Sequence, residues 1–424
     1  MRIAFVTQPW DQIVPSADSG SSISIITYQF AHQLADSNEV IIYGKQGINQ
    51  ERVERDANGI EYRRIPTKLE SWLLKPVKAL DRLAGFRDPK RPLFASRWYY
   101  LGYAYQVAND LKKKQCDIVH VCNFSQFIPI IKSLNPAIKI VLHMQCEWLS
   151  QIDPAIIEPR LESSDMILGC SEYIISKVRQ GFPAFVDRCH AVYNGVDVNH
   201  FICAQPAARN PKKLLFVARV SPEKGVHVLL NAFEEVVKLY PDVDLDIVGP
   251  AGLVPYEFVL QLSDDDKVSK LASFYGNRIK AGGIDYLAYL KEHLSPEVID
   301  KVSFLGYVVH SRLADLYRNT DVFVFPSVWD EPFGMPIVEA MATEVPVVAT
   351  RGGGITEIIE DGKTGVLVER GNAAELAKAI LTLLQDDQLR EKMGKAARQR
   401  AVEYFSWEQT SAKLLMLFES LQAQ

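Results

Sequence analysis

The sequence predicts an α/β protein of two doubly wound domains, each a mostly parallel sheet flanked by helices. Three observations carry this expectation. At 424 residues the chain is long enough for two domains of ordinary size. Short apolar runs alternate with helical and loop segments, as buried parallel strands joined by crossovers do. The pattern also restarts. After a stretch holding Pro206, Asn210 and Pro211, the run Leu214 to Ala218 (LLFVA) opens a second series. The expected layout is a first domain over 1–195, a hinge and linker over 196–211, a second domain over 212–404 and a final helix over 405–424.

In the first domain, Arg2 to Thr7 reads as a strand, apolar from Ile3 to Val6. A small-residue loop with Gly20 and Ser21 follows, then a helix from Ser22 to about Ser37. Strand, loop and helix in this order open a nucleotide-type domain. Further strands are expected at Val40 to Tyr43, Tyr62 to Ile65, Ile118 to Val121, Ile138 to His143 and Met166 to Cys170. His143 stands at the carboxyl end of its strand, where parallel sheets place their ligands. From Glu61 to Tyr100 there are ten Lys and Arg against four acids, interleaved with Trp72 and Trp98. A solvated basic face with its aromatics packed inward accounts for this. So does a surface for an anionic acceptor or, over 68–97, an anionic membrane.

In the second domain the strand Leu214 to Ala218 runs into RVSPEKG, Arg219 to Gly225. Two fixed cations five positions apart, beside a helix start, suit a diphosphate. Asp244 to Val248 is the next strand and ends at Gly249. A partly charged excursion over 251–300 has no evident role. Val302 to Leu305 is a strand followed by Gly306, Tyr307 and Val308, and a helix spans Ser311 to Asn319. The stretch that organises the chain comes next: the strand Val322 to Pro326 and then SVWDEPFGMPIVEAMA, Ser327 to Ala342. Phe333 and Gly334 make a tight turn, and Pro336 suits a helix start. The amides of Phe333, Gly334 and Met335 favour an anion there. Glu331 and Glu339 frame the turn. Val345 to Thr350 and Gly365 to Val368 complete the strands, with Gly352, Gly353 and Gly354 between them. Helices are expected at Ala373 to Gln385, Asp387 to Glu403 and from Ser406 to about Gln422.

Composition excludes several classes. With 48% apolar and 23% charged residues the chain is globular, and a net charge of −5 argues against a general nucleic-acid binder. Six cysteines without a C-x-x-C pair read as buried free thiols of a reducing compartment. No apolar run approaches the ~20 residues a bilayer span needs. The expected location is cytoplasmic.

The run EPFGMPIVE resembles the E-x7-E signature of the retaining, nucleotide-sugar-dependent glycosyltransferases of group 1, family 4, with Glu331 and Glu339 in the two Glu positions. RVSPEKG is similar to that family's R-x4-K pattern. The resemblance implies the GT-B fold, two Rossmann-like domains about a cleft, with the final helix packed back on the first domain. It implies that Arg219 and Lys224 hold the donor diphosphate, that Glu331 accepts from a sugar hydroxyl and Glu339 from ribose, and that His143 reaches the sugar. Gly20, Ser21, Gly249, Val308, Phe333, Gly334 and Met335 fall at donor-binding positions, although the first loop has fewer glycines than is usual in the family. The implied activity is retaining, metal-independent hexosyl transfer, most simply from UDP-glucose, with no cofactor beyond the nucleotide sugar. The acceptor is left open among a sugar, a sugar phosphate as in sucrose-phosphate synthases, and a glycan. The rivals are a lipid-linked acceptor at a membrane surface and a nucleotide-sugar epimerase of similar fold.

Overall fold

The computed structural model describes residues 1–423 apart from 17, 19, 20, 69, 71, 73, 76–87, 204–211 and 276–284. Gly20, the second half of the expected linker and the middle of the basic segment therefore lie outside the described residues. The chain divides into two compact units, Met1–Asn194 with Trp407–Gln424, and Gly195–Ser406.

The first unit is built on a sheet with strands β1 (Arg2–Val6), β2 (Glu39–Lys45), β3 (Val53–Arg55), β4 (Glu61–Ile65), β5 (Ile118–Cys122), β6 (Lys139–Met144), β7 (Met166–Gly169) and β8 (Cys189–Ala191). Their spatial order is β3-β4-β2-β1-β5-β6-β7-β8. All pairings are parallel except β3 with β4. β1, β5 and β7 are buried along almost their whole length because helices cover both faces, which is why they read as continuous apolar runs. The helices include α1 (Ser22–Leu34) and α2 (Leu101–Lys114). α1 lays Phe30 edge-on to Trp407 at 5.2 Å, at the head of the C-terminal helix Trp407–Gln422. Chain order reverses beside β1, so the crevice at the carboxyl ends of β1 and β5 is the switch point of this sheet.

Two expectations are corrected here. The His143 strand runs one residue further, to Met144, which keeps the imidazole inside the sheet layer instead of at its end. The edge strand β3 was not foreseen. β3 is three residues, VER, without an apolar core, and its pairing comes from β4 alone.

The second unit holds β9 (Lys212–Val217), β10 (Val243–Val248), β11 (Val302–Gly306), β12 (Val322–Phe325), β13 (Val347–Thr350) and β14 (Val366–Val368). They are all parallel, in the order β11-β10-β9-β12-β13-β14. The switch point falls between β9 and β12, the strands that precede the R-x4-K turn and the E-x7-E run. Helices α3 (Val226–Leu239), α4 (His310–Arg318), α5 (Met335–Ala342) and α6 (Asp387–Phe405) pack on this sheet. α5 meets α6 where Gly394 lies so close to the Glu344 carbonyl that a Cβ would stand 2.1 Å from it. The core runs through Leu214, Phe216, Leu229, Phe233, Val322 and Val324. The described residues of the 251–300 excursion include four short helices, and its Asp265 pairs with Arg370 at 2.6 Å. Four of the six cysteines are buried and all are free thiols. Among the described residues no helix is long and apolar enough to cross a membrane.

Candidate active site

The site in the second unit is set by two turns at neighbouring strand tips. After β9 the chain makes a 3-10 turn at Pro222–Lys224 and enters α3 through Gly225 at φ +74. A Cβ there would lie 2.0 Å from the Pro326 carbonyl, so only glycine lets this turn press against the end of β12. That approach brings Lys224 to the loop after β12. Its ammonium sits 2.9 and 2.7 Å from the two oxygens of Glu331, with both side chains 11% exposed. The Glu331 carboxylate also accepts from Trp329 Nε1 at 2.7 Å and Ser327 Oγ at 3.2 Å. The Lys224 ammonium lies 5.0 Å from the Trp329 ring centroid, a cation–π contact. Lys224, distant in sequence, thus joins three groups of one short loop, Ser327, Trp329 and Glu331, in a buried cluster.

Arg219 differs from Lys224. Its side chain is 43% exposed and only loosely paired, 3.7 Å from a Glu223 oxygen. It is the more open of the two cations. Glu223 is fully buried, accepts from Ser221 Oγ at 2.6 Å, and leaves Oε2 without a hydrogen bond. Its carbonyl takes both Val328 N–H and Ser327 Oγ, tying the R-x4-K turn to the Glu331 loop.

Glu339 lies one turn into α5, 3% exposed. Its two oxygens have separate partners: His310 Nε2 at 2.8 Å on Oε1 and Tyr317 Oη at 2.9 Å on Oε2. Burial and the nearby carboxylate push the Tyr317 hydroxyl well above its ordinary pKa, so it stays a donor. Neither His310 nor Tyr317 was expected from the sequence. Both sit on α4 at a spacing of seven, hence on one helix face, and that periodicity was the available signal.

Around these groups, Gly334 caps α5 at φ +114. Among the described residues the Gly334 and Met335 N–H groups donate to nothing, as expected at a helix start. Phe333 turns inward, 3% exposed, against Phe405 at 5.9 Å. Gly353, at φ +58, would place a Cβ 2.2 Å from the Glu331 carbonyl, which accepts Gly354 N–H at 2.8 Å. The glycine run therefore buttresses the Glu331 loop. Arg370 braces the same loop, binding the Val328 carbonyl at 3.2 Å and Asp330 at 3.3 Å. Gly249 spends its N–H on the Gly306 carbonyl at 2.8 Å, and Val308 is half-buried beyond β11.

The first unit presents a different set. His143 is fully buried: Nδ1 faces His120 Nε2 at 2.9 Å, and Nε2 faces Gln145 Nε2 at 3.2 Å. Burial lowers the His143 pKa to about 3, so both rings are neutral. Gln145, half-buried, exchanges two hydrogen bonds with Asn194. Beside Ser21, the start of α1 faces Asp11, whose burial raises its carboxyl to about 7 and whose Oδ2 has no partner. Among the described residues no group of three or more His, Cys, Asp or Glu side chains is arranged to hold a metal ion.

Comparison with known proteins covers nearly the whole chain. Residues 201–400 match the family of glycosyl transferases group 1, and residues 23–200 match glycosyltransferase family 4. Spore coat protein SA of Bacillus subtilis is 28% identical over 334 residues, 75% of this chain and 82% of that protein. Among solved structures, a sucrose-phosphate synthase from Thermosynechococcus elongatus is 21% identical and superposes with a TM-score of 0.66, covering 100% of this chain and 99% of the other. The HepE protein of Anabaena, crystallised with UDP, is 18% identical with a TM-score of 0.70, covering 99% and 100%. At these identities the likeness shows the fold, which is GT-B.

Proposed function

Because the chain belongs to the group 1, family 4 glycosyltransferases of GT-B fold, we propose that it moves a hexosyl group, glucose from UDP-glucose in the first instance, onto a sugar, sugar-phosphate or glycan acceptor with retention at the anomeric carbon. The observation that supports this is the Lys224–Glu331 pair at the β9–β12 switch point, with Arg219 just past the end of β9 and Glu339 one turn into the helix that follows β12. UDP is chosen because the Anabaena protein of the same fold binds it.

In this reading the first unit selects the acceptor. As the bond from the anomeric carbon to the diphosphate oxygen breaks, negative charge grows on the diphosphate. Arg219 and Lys224, already in place, stabilise that charge more than they stabilise the bound donor. The acceptor oxygen bonds to the anomeric carbon on the same face, and its proton passes to the departing diphosphate oxygen. No side chain forms a covalent intermediate. Glu331, fixed by three donors, takes a hydrogen bond from the sugar, and Glu339 takes the ribose. His143, enclosed in its sheet, acts by orienting Gln145. Side-chain cations meet the charge, so chelators should leave turnover unchanged.

A second reading, a lipid-linked acceptor, is favoured by Trp72 and Trp98, which are 68% and 54% exposed, with the Arg97 guanidinium 4.7 Å over the Trp98 ring. Exposed tryptophans beside cations suit an anionic interface.

The test is release of UDP, GDP or ADP from a panel of donors, with sugars, sugar phosphates and lipid-linked sugars as acceptors, on and off anionic vesicles. Acceptor-dependent release supports transfer. Conversion of a donor to its epimer without acceptor overturns it.

A further inference from the structure

Glu339 is held more tightly than a ligand-binding carboxylate needs to be, and the way it is held has a consequence. A carboxylate offers about four lone-pair positions, two on each oxygen. His310 takes one on Oε1 and Tyr317 takes one on Oε2, at 2.8 and 2.9 Å. One position remains on each oxygen. Two acceptor positions side by side match two adjacent hydroxyl groups, which is what the 2′ and 3′ positions of a ribose present.

The two donors are themselves fixed. Tyr317 is fully buried, its ring 5.5 Å from Phe323, and its hydroxyl lies 3.2 Å from the Pro336 carbonyl as well. Phe201, also fully buried, stands 5.4 Å from the His310 ring and 5.8 Å from the Tyr317 ring. Its own backbone carbonyl accepts from Arg398 at 3.1 Å. Neither donor can swing away without opening this aromatic wedge. The carboxylate cannot rotate to serve a single hydroxyl with both oxygens.

We propose that His310 and Tyr317 are positioning residues that orient Glu339 for a vicinal diol, making the site selective for a ribonucleotide over its 2′-deoxy counterpart. This rests on the donor site proposed above. His310 touches no reacting atom. It donates Nε2–H, fixes Oε1, and acts on the ligand through Glu339.

The test uses the full chain and takes the tightest-binding of UDP, GDP and ADP together with its 2′-deoxy form, measured by calorimetry. A hydrogen bond to a charged group predicts a wild-type preference for the ribo form of roughly tenfold to a hundredfold. His310→Ala should raise the Kd of the ribo form by about tenfold and cut the preference severalfold, since the freed carboxylate can turn. His310→Gln, which keeps an N–H donor of similar reach, should restore most of both. Tyr317→Phe keeps the ring packing and should lower the preference if His310→Ala fails to fold. In turnover, His310→Ala should raise KM while leaving kcat within about threefold, because the diphosphate contacts that act in the transition state are untouched. Equal binding of ribo and 2′-deoxy forms by the wild type, or an unchanged preference in both His310→Ala and Tyr317→Phe, would overturn the inference and leave the donor site standing. Failure of the wild type to bind any of the three diphosphates would remove the donor site as well.

Discussion

Replacing Lys224 by alanine should show a residue with two separable roles. In the fold, its ammonium lies 2.7 and 2.9 Å from the oxygens of Glu331, and each side chain is only 11% exposed. Removing one partner of a buried pair costs about 3–5 kcal/mol, because the other charge is left uncompensated. Glu331 keeps the Trp329 N–H and the Ser327 hydroxyl, which places the expected loss near the lower end, about 3 kcal/mol. For a unit of this size, about 3 kcal/mol corresponds to a fall of roughly 6–12 °C in Tm. In the reaction, loss of one charge-assisted bond to the diphosphate, about 1.5–3 kcal/mol, lowers kcat/KM roughly 10- to 150-fold. Adding Glu331→Gln separates the two roles. With no charge left to bury, the double variant should unfold well above the temperature that summing the single losses predicts, while turnover stays low. The assays are thermal unfolding and donor turnover on the two single variants and the double. A Lys224→Ala protein that unfolds with the wild type, or strict additivity in the double variant, would refute the reasoning.

The other predictions are more local. Gly353→Ala would drive a Cβ to 2.2 Å from the Glu331 carbonyl at φ +58, so it should lower both Tm and donor affinity, read by unfolding and by UDP titration. Acid should weaken the first unit. His120 and His143 have folded pKa values below the unfolded value of about 6.5, so the unfolded chain binds more protons in acid. Their contribution is full above pH ~6.5 and falls by about 1.4 kcal/mol per pH unit for each ring below it. Asp11, raised to about 7, has the opposite sign between about pH 4 and 7, and cancels one of the two. These three groups together contribute a slope of about 1.4 kcal/mol per pH unit, and Asp11→Asn should steepen the pH dependence in urea unfolding at pH 7.5 and 5.5. Finally, Trp72→Ala with Trp98→Ala should reduce co-sedimentation with anionic vesicles without changing turnover of a soluble acceptor; equal binding by the double variant would discount the lipid-linked reading.

Much of the architecture was legible because burial on both faces writes strands as unbroken apolar runs. VFVF of β12 and LLFV within β9 could be found without knowing their neighbours. The turns were legible for a related reason: Gly225 and Gly334 stand where φ is positive, and few other residues tolerate that. The charge partners were not legible. Lys224 presents itself in sequence as a cation awaiting a phosphate, but its counterion lies 107 residues on, and only the β9–β12 pairing brings the two together. Asp265 and Arg370, 105 residues apart, are the same case. His143 shows another limit of the sequence: the strand end could be placed only to within a residue, and the burial that makes the ring neutral comes from neighbours the sequence does not mark. Glu339 was singled out by the motif, but its donors His310 and Tyr317 on α4 needed a helix-face reading as well.

The central claim is that the second unit grips a nucleoside diphosphate at the β9–β12 switch point. The most direct measurement is a crystal structure of the protein soaked with UDP. The account predicts the diphosphate within hydrogen-bond distance of Arg219 and Lys224, and the ribose hydroxyls on Glu339. UDP bound elsewhere on the chain, with those side chains unengaged, would contradict it.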